Sequence, residues 1–140
     1  MRLTALCGTL VLAACAPREL NVTMNADNNS GQSGFAVLID RGQEIDVVVE
    51  TSAPEFEGVQ RMHLHRGNCG EVDEIYADLL NLEPLADKPD RVGSTTRGLL
   101  KRGTSEKVQF DDFEEGDWLI NVHDAREFTI YVSCGEFVTK

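Results

Sequence analysis

From Glu19 to Met24 polar and apolar residues alternate, as they do along a strand with one buried face. Asn25 to Gly34 is dense in Asn, Ser and Gly, and the apolar run Phe35 to Asp40 follows it. The pair reads as a hairpin with a long loop. Arg41, Gly42 and Gln43 turn the chain into Glu44 to Thr51, a third strand rich in β-branched residues. Ser52 to Gly58 carries Pro54 and reads as loop. Val59 to Arg66 alternates again as a fourth strand, ended by Gly67 to Gly70. Residues 71–92 have no clear period. Ile75, Leu79 and Leu82 have helical spacing, but Pro84 and Pro89 cut it short, which predicts a long connection holding one strand or a short helix. Ser94 to Leu100 is a further strand. Lys107 to Phe110 leads into an acidic turn, Asp111 to Asp117, and Trp118 to His123 and Phe128 to Cys134 are the closing strands. Seven or eight short strands with frequent turn signals predict an all-β sandwich or barrel.

The start of the chain has a different character. Arg2 precedes an apolar run from Leu3 to Ala14, which reads as an export signal and is too short to span a bilayer. It ends in Leu12, Ala13, Ala14 and Cys15, which resembles the bacterial lipobox closely. That resemblance implies a signal peptide over 1–14, a lipidated Cys15 as the new N-terminus with a short tether over 15–18, and a domain over 19–140. Ala16 stands where an inner-membrane retention signal would carry Asp. The resemblance therefore favours a lipid anchor in the outer membrane, facing the periplasm. An ordinary secretory signal with an incidental Cys is the plainer alternative.

With Cys7 in the signal and Cys15 under lipid, Cys69 and Cys134 remain. Two Cys in an oxidising compartment are expected to pair. A bridge closing about 66 residues contributes roughly 4 kcal/mol on the chain-entropy treatment. The 140 residues suit one domain. A net charge of -11, with 13 basic residues and no basic cluster, argues against nucleic-acid binding. It does not argue against a cation. The acidic run lacks the alternating oxygens, central Gly and terminal Glu of a calcium loop and reads as a solvated turn.

The chain has three histidines, His63, His65 and His123. His63 and His65 lie two apart on a predicted strand, so both imidazoles project from one face, about 6 to 7 Å apart at Cα. That is a workable bite for one metal ion. A third imidazole from another strand would complete a nitrogen site suited to copper, zinc, nickel or iron. The order of motifs is informative. His63-Leu64-His65 is followed by Gly67-Asn68-Cys69, then by Val122-His123 on a later strand, then by Cys134-Gly135 at the close. This framework resembles that of copper/zinc superoxide dismutase, and more its compact bacterial relatives than the enzymes themselves. The resemblance runs in strand order over residues 19 to 138. It implies a Greek-key, immunoglobulin-like β-sandwich, copper held by His63, His65 and His123, and a Cys69–Cys134 disulfide.

The departures matter as much. The enzymes carry a copper–zinc bridging His and further zinc ligands between the two His motifs, whereas no His lies between His65 and His123. Copper is therefore expected and zinc is not. The enzymes place an anion-guiding Arg three residues before the closing Cys, where this chain has Tyr131. Ten residues separate His123 from Cys134, too few for the charged loop that steers superoxide. Arg66 and Arg126 are the cations available to substitute. No residue is assigned a catalytic role on this reading. Three functions stay open: an envelope lipoprotein that binds, buffers or delivers copper, with limited superoxide chemistry; an active copper-only dismutase; or a metal-free interaction domain on the same scaffold.

Overall fold

The stretches with a two-residue period are extended in the folded chain. A computed structural model describes residues 16–55 and 57–138, so the signal segment and Cys15 lie outside the described residues. The strands are β1 (Glu19–Ala26), β2 (Gly34–Asp40), β3 (Ile45–Ser52), β4 (Gln60–Asn68), β5 (Glu71–Leu85), β6 (Lys88–Arg97), β7 (Asp117–His123) and β8 (Tyr131–Val138). They close into one antiparallel barrel in the order β1-β2-β3-β6-β5-β4-β7-β8. The seam between β8 and β1 is short, with Asn25 opposite Cys134 and Ala26 opposite Ser133.

Alternation decides which side chains fill the barrel. Val22 and Met24 on β1, Ala36 and Leu38 on β2, and Val47 and Val49 on β3 are buried in one cluster with Met62 and Leu64 on β4. Ala77 and Leu79 on β5 and Trp118, Ile120 and Val122 on β7 complete that wall. Because successive side chains point to opposite faces, His63 and His65 on β4 face outward, as do Leu119, Asn121 and His123 on β7. Most of this outer face is nevertheless covered, and His65, Leu119, Asn121 and His123 are all buried.

Residues 71–92 differ from expectation. They hold β5 and the start of β6, two long strands, and no helix. The cause is a series of register shifts between β4 and β5, at Gln60/Met62, Leu64/His65 and His65/Gly67. At each shift β5 carries an extra residue, which stretches the apolar spacing from two to three residues and imitates a helical period. Leu79 and Leu82, three apart, pair with Met62 and Gln60, two apart. The last strand is also displaced. It starts at Tyr131 and runs past Cys134, while Phe128 to Ile130 form a turn closed by Ile130 N–H donating to the Glu127 carbonyl at 3.0 Å. β6 stops at Arg97, because Gly98 takes a positive φ and turns the chain away.

The acidic stretch contains a 3₁₀ helix, Phe110–Phe113, with Asp112 capping the Gln109 N–H at 2.8 Å. Its Phe113 is buried against Trp118, ring centroids 4.7 Å apart. At the other end of the described chain, Arg18 pairs with Asp40 at 2.7 Å and Asp111 at 2.8 Å, where the segment enters β1. Cys69, in the β4–β5 turn, and Cys134, on β8, form the expected disulfide, with Cα atoms 6.0 Å apart.

Candidate metal centre

β4 and β7 run side by side with His63 opposite Asn121 and His65 opposite Leu119. This register brings the third histidine to the first two. His123 Nε2 lies 2.8 Å from His63 Nδ1, and the two rings meet edge to face with centroids 4.7 Å apart. His63 and His65 have centroids 5.7 Å apart. The three imidazoles that the sequence spreads over 60 residues thus occupy one patch of two neighbouring strands.

Their hydrogen bonds fix where the lone pairs are. A carbonyl can only accept, so a ring nitrogen against a carbonyl carries the proton. His65 Nδ1 donates to the Asp73 carbonyl at 2.8 Å, which leaves Nε2 bare in the neutral ring. That Nε2 is buried and has no partner. His123 Nδ1 donates to the Phe128 carbonyl at 2.5 Å, so its Nε2 accepts from His63 Nδ1. His63 is left in conflict. Its neutral ring has one proton and two acceptors, His123 Nε2 on one side and Asp78 Oδ1, 3.4 Å from Nε2, on the other. Moving that proton to Nε2 pairs His63 with Asp78 and bares Nδ1. Three lone pairs, on His63 Nδ1, His65 Nε2 and His123 Nε2, are then free to take a cation, with Asp78, Asp73 and Phe128 orienting the rings from behind.

As the side chains stand, no group of three or more His, Cys, Asp or Glu among the described residues could hold a metal ion. The His63–His123 hydrogen bond uses the Nδ1 of one ring and the Nε2 of the other. Two nitrogens each about 2.0 Å from one cation stand about 3 Å apart at a right angle. The 2.8 Å pair is therefore near a ligating separation once the proton has moved. A buried bare imidazole nitrogen beside such a pair fits a three-nitrogen donor set.

Burial is the main cause that lowers His63, to about 4, with His123 adding and Asp78 opposing. Burial also lowers His123, against the pull of the Phe128 carbonyl. Both rings are thus neutral near pH 7, as ligation requires. The folded His63 takes up its proton below the ordinary value of 6.5, so it opposes folding as pH falls from 6.5 towards 4 and has no effect above. We expect the metal-free protein to lose about 3 kcal/mol through this window. His63→Gln should flatten the loss, measured by urea unfolding at each pH. Equal slopes in the two proteins would contradict the assignment.

No family model, no curated protein and no solved structure matches this chain. The reading of the site therefore rests on its own residues. Tyr131 packs edge-on against His123 with centroids 4.9 Å apart and closes one side. The two cations named from the sequence have other neighbours. Arg66 stacks on Trp118 at 3.9 Å and donates to the Glu115 carbonyl, while Arg126 lies 3.9 Å from Asp124. Arg61 and Arg102 act on the histidines electrostatically. Arg61 lies over the Phe128 ring at 4.5 Å and acts electrostatically on His123. Arg102 lies 3.6 Å from Asp78 and acts on His63. Arg61 was within reach of sequence reasoning, because it continues the two-residue period of His63 and His65.

Proposed function

We propose that this chain is a cell-envelope lipoprotein whose barrel resembles the copper/zinc superoxide dismutase domain and binds one copper ion through His63 Nδ1, His65 Nε2 and His123 Nε2. The single observation that carries the proposal is the buried, unpartnered His65 Nε2 beside the His63–His123 pair. The strand order supports the family reading. β4, β5 and β6 are consecutive neighbours and β7 returns to lie beside β4, as a Greek key would have it. The lipobox-like Leu12 to Cys15 supports the envelope location.

Three imidazoles suit copper, and bound copper supplies a centre that exchanges single electrons. The chain's own residues do the rest. Asp78 holds the His63 proton at Nε2, the Asp73 and Phe128 carbonyls hold those of His65 and His123 at Nδ1, and Tyr131 shields His123. Arg61 and Arg102 supply positive charge near the site in a strongly acidic chain. Copper binding and buffering is the principal role, with superoxide chemistry limited by the short loop between His123 and Cys134. A separate zinc site is no part of the proposal, since no histidine lies between His65 and His123.

Copper titration with electron paramagnetic resonance tests the proposal. One Cu(II) per chain with nitrogen hyperfine structure is expected, and His63→Ala or His123→Ala should weaken binding by about 100-fold. Weak binding unaffected by either change would leave the metal-free interaction domain as the better reading.

A further inference from the structure

We propose that Asn121 supplies a fourth donor, its side-chain amide oxygen, to the copper held by the three histidines. This inference rests on the copper reading above and adds a ligand to it. Among the described residues three buried side-chain nitrogen or oxygen atoms have no hydrogen-bond partner: His65 Nε2, Asn121 Nδ2 and Asn121 Oδ1. All three belong to one patch. Asn121 stands directly opposite His63 in the β4–β7 register and two residues before His123 on the same face of β7. His65 is its diagonal neighbour across the same strand pair. Side chains directly opposite on adjacent strands lie about 5 Å apart at Cβ, and diagonal ones remain within reach of a long side chain.

An asparagine with no exposed surface and neither amide atom partnered is costly, because both groups lose water and gain nothing. A leucine has much the same shape without that penalty. On its other side Asn121 pairs with Cys134, whose sulfur is committed to the disulfide and offers no donor. On the β4 side the strand register gives it His63 opposite and His65 on the diagonal. A neutral amide oxygen is a hard donor, which suits Cu(II) with mixed nitrogen and oxygen ligands better than Cu(I). Asn121 thus adds an oxygen to the three imidazole nitrogens and biases the site towards the oxidised ion.

The test uses the full chain purified in detergent, with Asn121→Leu and Asn121→Asp beside the parent and His63→Ala. Cu(II) and Cu(I) affinities are read by chelator competition, and the Cu(II) environment by electron paramagnetic resonance. Asn121→Leu should lose Cu(II) affinity by about tenfold or more. Its Cu(I) affinity should change by less than about threefold, and its spectrum should shift while the nitrogen hyperfine lines persist. Asn121→Asp, which restores an oxygen, should bind Cu(II) at least as tightly as the parent, and it decides the matter if the leucine variant fails to fold. Parent-like Cu(II) affinity and spectrum in Asn121→Leu would overturn the proposal, as an amide that only holds an ordered water would behave. A tenfold loss in Asn121→Asp would overturn it as well. If copper binding is lost in His63→Ala while Asn121→Leu is unchanged, the Asn121 assignment alone fails. If the parent binds no copper, both readings fail.

Discussion

Replacing Cys69 and Cys134 together by Ser is expected to destabilise the protein by about 4 kcal/mol. The bridge spans 65 positions of sequence, so cutting it releases a long loop in the unfolded chain. It also lies where the barrel is weakest. β8 meets β1 through only two residue pairs, and one of them is Asn25 with Cys134. Cys69 sits in the β4–β5 turn and donates its N–H to Glu136 on β8 at 2.5 Å, so the bridge and this bond tie the same two elements. Asn121 pairs with Cys134 as well, which places the bridge beside the histidine patch on the same outer face. The melting temperature of the double variant should fall by about 10 to 20 °C. Reductant should do the same to the parent. A parent that melts at one temperature with and without reductant would contradict this account of the seam.

Trp118→Ala is expected to cost about 4 kcal/mol by a different route, the loss of packing inside the barrel. Trp118 is fully buried and is the largest side chain in the core. Tyr76 and Phe113 meet its ring edge to face at 4.8 and 4.7 Å, and the Arg66 guanidinium covers it at 3.9 Å. Its Nε1–H donates to the Glu115 carbonyl at 3.2 Å. Truncation therefore leaves a cavity at one end of the barrel and unseats the 3₁₀ helix that Phe113 anchors. Trp118→Phe keeps most of the volume and should lose less than half as much. Urea unfolding of the two variants separates these outcomes, and a loss below about 1 kcal/mol in Trp118→Ala would show that the ring is not the keystone of that end.

Where one face of a strand is core and the other is not, the chain declares itself by a period of two. That holds for β1 and β4, whereas β2, β3 and β7 were readable as apolar, β-branched runs between turn signals, β7 because both of its faces are buried. β5 was not, because its bulges against β4 stretch the period, and a bulge is set by pairing across strands that the linear chain does not display. The start of β8 was misplaced for a related reason. Phe128 and Ile130 are apolar but exposed on a turn, where Phe128 supports Arg61 and gives its carbonyl to His123. The histidine trio was legible from spacing and order. Asp78 was not, since it reaches His63 only through the irregular β4–β5 register. Asn121 was visible as a polar residue within an apolar strand, but its burial without partners belongs to the folded state alone.

The most direct test of the copper assignment is a crystal structure of the copper-loaded protein with data collected at the copper absorption edge. The account predicts one anomalous peak within ligating distance of His63 Nδ1, His65 Nε2 and His123 Nε2, with the His63–His123 hydrogen bond broken and His63 Nε2 drawn to Asp78. Copper found only on surface carboxylates, with His63 Nδ1 still bonded to His123 Nε2, would contradict it.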